Sequence, residues 1–147
     1  LIGLDFANAF NSVRRKPMLE ELQRRAPGLA PFVAKCYGGQ PADVIFTMET
    51  GERRVIPSKT GVQQGDALGP ALFCMPLGTV LEKTRAVYES KGVELFAYMD
   101  DVGMALRELT AQTVQAVPFL REESSGIGVI LNGAKCVALP PPGHVPT

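Results

Sequence analysis

Two neighbouring aspartates, Asp100 and Asp101, stand between two apolar runs, Val93 to Tyr98 and Val102 to Leu106. Each run is short and holds the β-branched, aromatic and aliphatic residues that suit a strand. With only a few residues between them, the two runs must turn back on each other as a tight antiparallel hairpin. The acidic pair then sits at the turn. Two carboxylates at a turn between buried strands repel each other and lose hydration, a cost that asks for a positive partner. Taken alone, the pair reads more simply as an exposed turn, because Asp favours turns.

A third carboxylate sharpens the reading. Leu1-Ile2-Gly3-Leu4 is an apolar run that stops abruptly at Asp5, the pattern of a short strand with an acid at its end. A pair of Mg²⁺ ions would compensate three such acids, since magnesium prefers carboxylate oxygens and leaves places for water and phosphate. Two ions about 3.5–4 Å apart can activate an attacking hydroxyl and stabilise a leaving pyrophosphate.

Around these points the chain alternates strands and helices. Pro17 suits the first turn of a helix whose apolar face is Met18, Leu19 and Leu22, and Pro27-Gly28 ends it. A second helix is expected from Leu29 to Tyr37, stopping at Gly38-Gly39. Val44 to Thr47 and Arg53 to Ile56 read as the arms of a hairpin turning at 49–52. Gly61 to Gly65 is a polar loop, and Asp66 is placed to cap the longest helix, Ala67 to Ser90. Leu68 to Leu81 is apolar nearly all round and should be buried, while Pro76 should kink or shorten the helix. A helical region from Thr110 to Ser124 carries Pro118 inside it, and Asn132-Gly133 is expected to turn the chain into a final strand, Lys135 to Leu139. Hairpins mixed with helices give an α+β class with an antiparallel sheet packed on helices. One domain is expected over residues 1–139, followed by a Pro-rich linker over 140–147.

Composition narrows the functions available. Of 147 residues, 46% are hydrophobic and 20% charged, which suits a folded core. The formal net charge is zero, so phosphate binding has to come from clustered basic residues rather than from a global surplus. The three cysteines, Cys36, Cys74 and Cys136, are far apart and lack metal-site spacing, which fits reduced thiols in an intracellular compartment, nucleus or cytoplasm. His144 is the only histidine, so a histidine-based triad or a His-rich metal site is not expected. There is no signal segment and no run of about 18 apolar residues, so no membrane partner is expected.

The motifs, taken together, resemble one family. Phe96-Ala97-Tyr98-Met99-Asp100-Asp101 resembles the Tyr-x-Asp-Asp signature of reverse transcriptases, here Tyr-Met-Asp-Asp. Leu4-Asp5-Phe6-Ala7-Asn8-Ala9-Phe10 resembles that family's first catalytic motif, an Asp followed five positions later by an aromatic. Gly61-Val62-Gln63-Gln64-Gly65-Asp66-Ala67-Leu68-Gly69-Pro70 resembles its loop-to-helix motif, and Gly128 to Cys136 its fourth motif. The four occur in the family's order over nearly the whole chain, and the wording is most similar to retrotransposon enzymes without long terminal repeats. The resemblance implies a polymerase palm with a ferredoxin- or RRM-like antiparallel sheet. It also implies that the chain is a fragment, with most of the fingers and the thumb missing.

The same resemblance implies roles, position by position. Asp5 and Asp100 would be the principal ligands of two Mg²⁺ ions, with Asp101 assisting, the Phe6 carbonyl completing one shell and Mn²⁺ as a substitute metal. Phe10 would be the gate under the sugar, excluding a 2′-hydroxyl. Gln64 and Gly65 would line the pocket for the incoming deoxynucleoside triphosphate, where glycine lets backbone come close. Tyr98 and Met99 would touch the primer end. Lys135 would stand near the triphosphate as a general acid, against the plainer reading of a solvated lysine in a strand. The partners would be an RNA or DNA template with its primer. Arg14-Arg15-Lys16, Arg24-Arg25 and Arg53-Arg54 read first as solvated surface and second as phosphate contacts. The implied activity is RNA-directed DNA synthesis, a nucleotidyl transfer. The alternative is a non-catalytic nucleic-acid-binding domain descended from such an enzyme. An RNA-dependent RNA polymerase fits less well, because those enzymes usually carry Gly before the acidic pair, where Met99 stands, and a smaller or polar group at the gate, where Phe10 stands.

Overall fold

The computed structural model describes residues 1–39 and 42–140. From Pro141 onward the Pro-rich tail, with His144, lies outside the described residues. The elements in chain order are β1 (Ile2–Leu4), β2 (Phe6–Ala7), α1 (Ala9–Ser12), α2 (Arg15–Arg25) and α3 (Ala30–Tyr37). They continue with β3 (Ala42–Thr47), β4 (Arg53–Ser58), α4 (Gly69–Tyr88), β5 (Val93–Tyr98) and β6 (Asp101–Leu106). The last are α5 (Ala111–Val114), α6 (Ala116–Gly126), β7 (Ile130–Leu131) and β8 (Val137–Ala138).

Four strands form the main sheet in the order β5-β6-β1-β8, all neighbours antiparallel. Two further antiparallel pairs, β2 with β7 and β3 with β4, complete the described strands. The α+β class and the helix-backed antiparallel sheet are therefore present. Strand alternation explains why one sheet face is dry: Leu4, Val93, Leu95, Val102 and Met104 are buried, with Gly3, Glu94 and Phe96 exposed between them. The buried side chains join those of α4, α2 and α6, among them Phe73, Leu72, Leu77, Met18, Leu22 and Leu120, in one core.

α4 is the central support, packing on α2, α6 and β5. It continues through Pro76, which is buried within it, so the proline does not shorten the helix. Tertiary burial of the face that carries Pro76 offsets the one lost backbone bond, which costs about 3 kcal/mol in an unsupported helix. The stretch 68–81 is buried on one side only, since Ala71 is exposed and Cys74, Met75, Gly78 and Thr79 are half-buried. Asp66 is not the N-cap, which is Leu68 without a side-chain cap; Asp66 lies two residues earlier, where its Oδ1 accepts the Leu68 N–H at 2.9 Å.

Two other expectations are corrected. The region 110–124 is two helices, divided at Gln115, so that Pro118 falls in the first turn of α6 where its missing N–H does no harm. The expected turn after β7 is present, over residues 133–135. β7 pairs with β2 and the following β8 pairs with β1, so the chain crosses from one small sheet to the main one. Lys135 lies in the turn before β8, which is only Val137–Ala138.

Arginines read as solvated surface are partly structural. Arg25 joins α2 to α4 through Glu82 at 2.7 Å and Thr79 at 3.1 Å, and Glu21 accepts from both Arg24 and Arg25. Arg15 is half-buried and binds Ser58 O at 2.7 Å and Gly61 O at 3.1 Å. Such pairs contribute roughly 1 kcal/mol or less each, against about 3–5 kcal/mol for emptying the Phe73 position. The core sets the stability and the ion pairs set the registration of helices.

Two outcomes follow from this architecture. Arg24, with help from Thr79 and Arg25, holds the Glu21 carboxyl down from 4.5 to about 2. Its contribution is therefore complete above pH 4.5 and fades as pH falls towards 2. The stability gap between the parent and Glu21→Gln should be roughly 1 kcal/mol at pH 7 and should close across that acid window in denaturant titrations. Gly61 has φ +72°, and a Cβ there would lie 2.5 Å from the Asn11 backbone. Gly61→Ala should cost about 1–3 kcal/mol from the backbone conformation alone, read as a lower urea midpoint with an unchanged slope.

Candidate active site

β1 pairs with β6 so that Gly3 faces Gly103 and Leu4 faces Val102. The next residue on each strand is Asp5 and Asp101, which brings the two acids level at the same end of adjacent strands, about 5 Å apart in backbone spacing. Leu4 and Val102 point into the core, so by alternation Asp5 and Asp101 belong to the opposite, open face. There they line a cavity of about 510 Å³ together with Tyr98 and Lys135.

The β5–β6 hairpin has Tyr98 paired with Asp101, leaving Met99 and Asp100 as its two-residue turn. Met99 adopts φ +55°, the left-handed conformation such turns require. Asp101 is therefore a strand residue and Asp100 a turn residue, not two members of one turn as the sequence suggested. On α4, burial and then the charge of Asp100 raise the Cys74 thiol above its ordinary range. Tyr98 is 74% exposed and Met99 38% exposed, so both are free to meet a ligand.

Asp5 carries the least expected feature. Its Oδ1 is buried and, among the described residues, has no hydrogen-bond partner, while its backbone carbonyl accepts Asn132 N–H at 2.8 Å. An unsatisfied buried carboxylate oxygen is costly and calls for a partner. A hard divalent cation is the partner whose chemistry matches, since the available donors are oxygen. Phe6, whose side chain is buried, follows directly and pairs with Leu131. Among the described residues, no three Asp, Glu, His or Cys side chains are gathered into a ready-made metal cage.

The second half of the site lies beyond β2. Phe10 of α1 is half-buried and stacks on Phe73 of α4, ring centroids 4.5 Å apart. It lines a cavity of about 400 Å³ with Gln63, Gln64, Gly65, Asp66, Gly69 and Pro70. The loop is laced to α1 by Gly61 N–H to Val13 O and Val62 N–H to Phe10 O, both 2.8 Å. Gly65 has φ +91°, and nothing lies within 4 Å of where its Cβ would be. The opening there is space for a ligand that approaches the backbone.

The structure thus brings Asp5, Asp101, Tyr98 and Lys135 to one cavity and Phe10, Gln64 and Gly65 to another. Neighbouring residues of α4 link them, since Phe73 supports the Phe10 ring and Cys74 senses Asp100. Lys135 is exposed and, among the described residues, in no salt bridge. Sequence reasoning missed Phe73, Tyr37 and Arg15 as partners of these elements. Only their apolar or basic character was visible locally, and that character equally fits core or surface.

Of solved structures, one similar to this chain is apo telomerase from Candida tropicalis truncated from its C-terminal domain. It superposes with a TM-score of 0.69 at 17% identity, over 92% of this chain and 29% of the telomerase chain. None of the curated protein sequences matches. The model of the family described as reverse transcriptase (RNA-dependent DNA polymerase) matches residues 1–145. With that match over nearly its whole length, the chain belongs to the reverse transcriptase family.

Proposed function

We propose that this chain is the catalytic palm of an RNA-directed DNA polymerase, adding deoxynucleotides to the 3′-hydroxyl of a primer on an RNA or DNA template. The observation that carries the reading is the buried, unpartnered Oδ1 of Asp5, set level with Asp101 at the end of the acidic hairpin. A purely structural carboxylate would be hydrogen-bonded or exposed.

In this reading Asp5 and Asp100 hold two Mg²⁺ ions, or Mn²⁺ in their place, with Asp101 and the Phe6 carbonyl assisting. The bound ions would supply positive charge to acidify the primer hydroxyl and to neutralise the leaving pyrophosphate. The protein's own residues do the placing. Gln64 and Gly65 receive the triphosphate-bearing nucleotide on their open side. The Phe10 ring, propped from behind by Phe73, occupies the space a 2′-hydroxyl would need. Tyr98 and Met99, exposed on the hairpin, meet the primer end. Lys135, a free ammonium beside the acidic cavity, donates a proton to pyrophosphate as it departs. The wording of the four motifs supports an origin in a retrotransposon without long terminal repeats.

A second reading, a nucleic-acid-binding domain that has lost catalysis, draws on the lack of a preformed metal cage among the described residues. Primer extension on an RNA template with the full-length natural protein, Mg²⁺ and deoxynucleotides separates the two. The parent should synthesise DNA, and Asp100→Asn should reduce the rate at least about a thousandfold, since metal-borne charge stabilisation is worth several kcal/mol. Synthesis surviving in Asp100→Asn would refute the role of that residue. A folded parent that neither extends primers nor binds Mn²⁺ by electron paramagnetic resonance would establish the binding domain instead. Phe10→Val should raise ribonucleotide incorporation relative to deoxynucleotide by about 10- to 100-fold, the range one or two removed methylene-sized contacts can command.

A further inference from the structure

The strip Gln63–Asp66 is a thin wall with a cavity on each side. On one side is the Phe10 cavity, and on the other a space of about 510 Å³ lined by Phe32, Val33, Cys36, Tyr37 and Leu68. With open space behind and in front, packing alone does not hold this strip in one place. Its backbone is tied within itself by Asp66 N–H to Gln63 O at 3.2 Å, and its Asp66 end to the start of α4 by Gly69 N–H to Asp66 O at 3.0 Å, which leaves the Gln63 end to be held from elsewhere.

One side chain ties the turn to α3. The Tyr37 hydroxyl accepts the Gln63 backbone N–H at 3.2 Å and donates to the Asp66 carboxylate. It therefore grips both ends of the four-residue turn at once. The remaining Asp66 oxygen is occupied by the Leu68 N–H, which ties the same carboxylate to the entry of α4. Tyr37 is itself rigid: it is 6% exposed at the end of α3, and the Arg15 guanidinium lies over its ring at 5.2 Å from the centroid. Arg15 in turn is held by Ser58 and Gly61.

We propose that Tyr37 is a positioning residue for the incoming deoxynucleoside triphosphate, acting by pinning the Gln63–Asp66 turn so that Gln64 and Gly65 face the Phe10 cavity. The inference rests on the polymerase reading for its ligand, though not for its geometry. Burial, then the bond to Asp66, raises the Tyr37 hydroxyl above its ordinary range, and that bond lowers Asp66. The phenol keeps its proton and the carboxylate its charge at neutral pH, which sustains a strong, charge-assisted contact.

Tyr37→Phe removes the hydroxyl and keeps the ring under Arg15. In the full-length natural protein, the KM for the incoming deoxynucleotide should rise about tenfold, the loss expected for a hydrogen bond to a charged group. The loss should appear in KM rather than in kcat. Amide hydrogen exchange at residues 63–66 should accelerate about tenfold, with amides of α4 unchanged. Exchange that does not accelerate overturns the pinning whatever the protein's activity. Accelerated exchange with KM unchanged, or faster exchange throughout α4, overturns the positioning role. A parent that extends no primer refutes the polymerase reading itself, and the exchange result still decides whether Tyr37 holds the turn.

Discussion

The antiparallel pairing of β1 with β6 is the contact on which the arrangement depends. It is made by three residues on each strand, between segments nearly a hundred positions apart in the chain. Its register sends Leu4 and Val102 into the core and Asp5 and Asp101 to the open face. A slip of one residue would invert both sets, exposing the apolar pair and burying the acids. The apolar core therefore enforces the register, and through it the juxtaposition of carboxylates that disfavour each other. Burial of side chains such as Phe73, Met104 and Val102 outweighs that repulsion.

α4 serves both halves of the site from one turn. Phe73 supports the Phe10 ring and the adjacent Cys74 lies close enough to Asp100 to feel its charge. A helix buried along much of one side, anchored to α2 and α6, is a rigid base for such work. The residues proposed to meet ligand are by contrast on turns and loops: Met99 and Asp100 at the hairpin, Gln64 and Gly65 before α4. Loops carried on a rigid scaffold are where binding groups are commonly found.

Much of the fold was legible in the sequence. The helices 15–25 and 30–37, the hairpins 42–58 and 93–106, and the α+β class follow from apolar periodicity and turn residues, which are local properties. The misreadings share one cause. α4 continues through Pro76, the region 110–124 divides into two helices, and Arg15 is a structural arginine rather than a solvated one. In each case the local preference is overruled by contacts with distant segments, which no short window contains.

What the sequence determined by itself was the chemistry available: three acids at strand ends, an aromatic after the first, and a glycine-containing polar loop before a long apolar helix. These are set by residue type and spacing. What only the tertiary structure decided was their company. It left Asp5 Oδ1 buried without a partner, set Asp101 in a strand and Asp100 in the turn, and placed Tyr37 against the loop. Those relations are made by hydrogen bonds and packing between segments far apart in the chain, and they exist only once the core has closed and fixed the strand register.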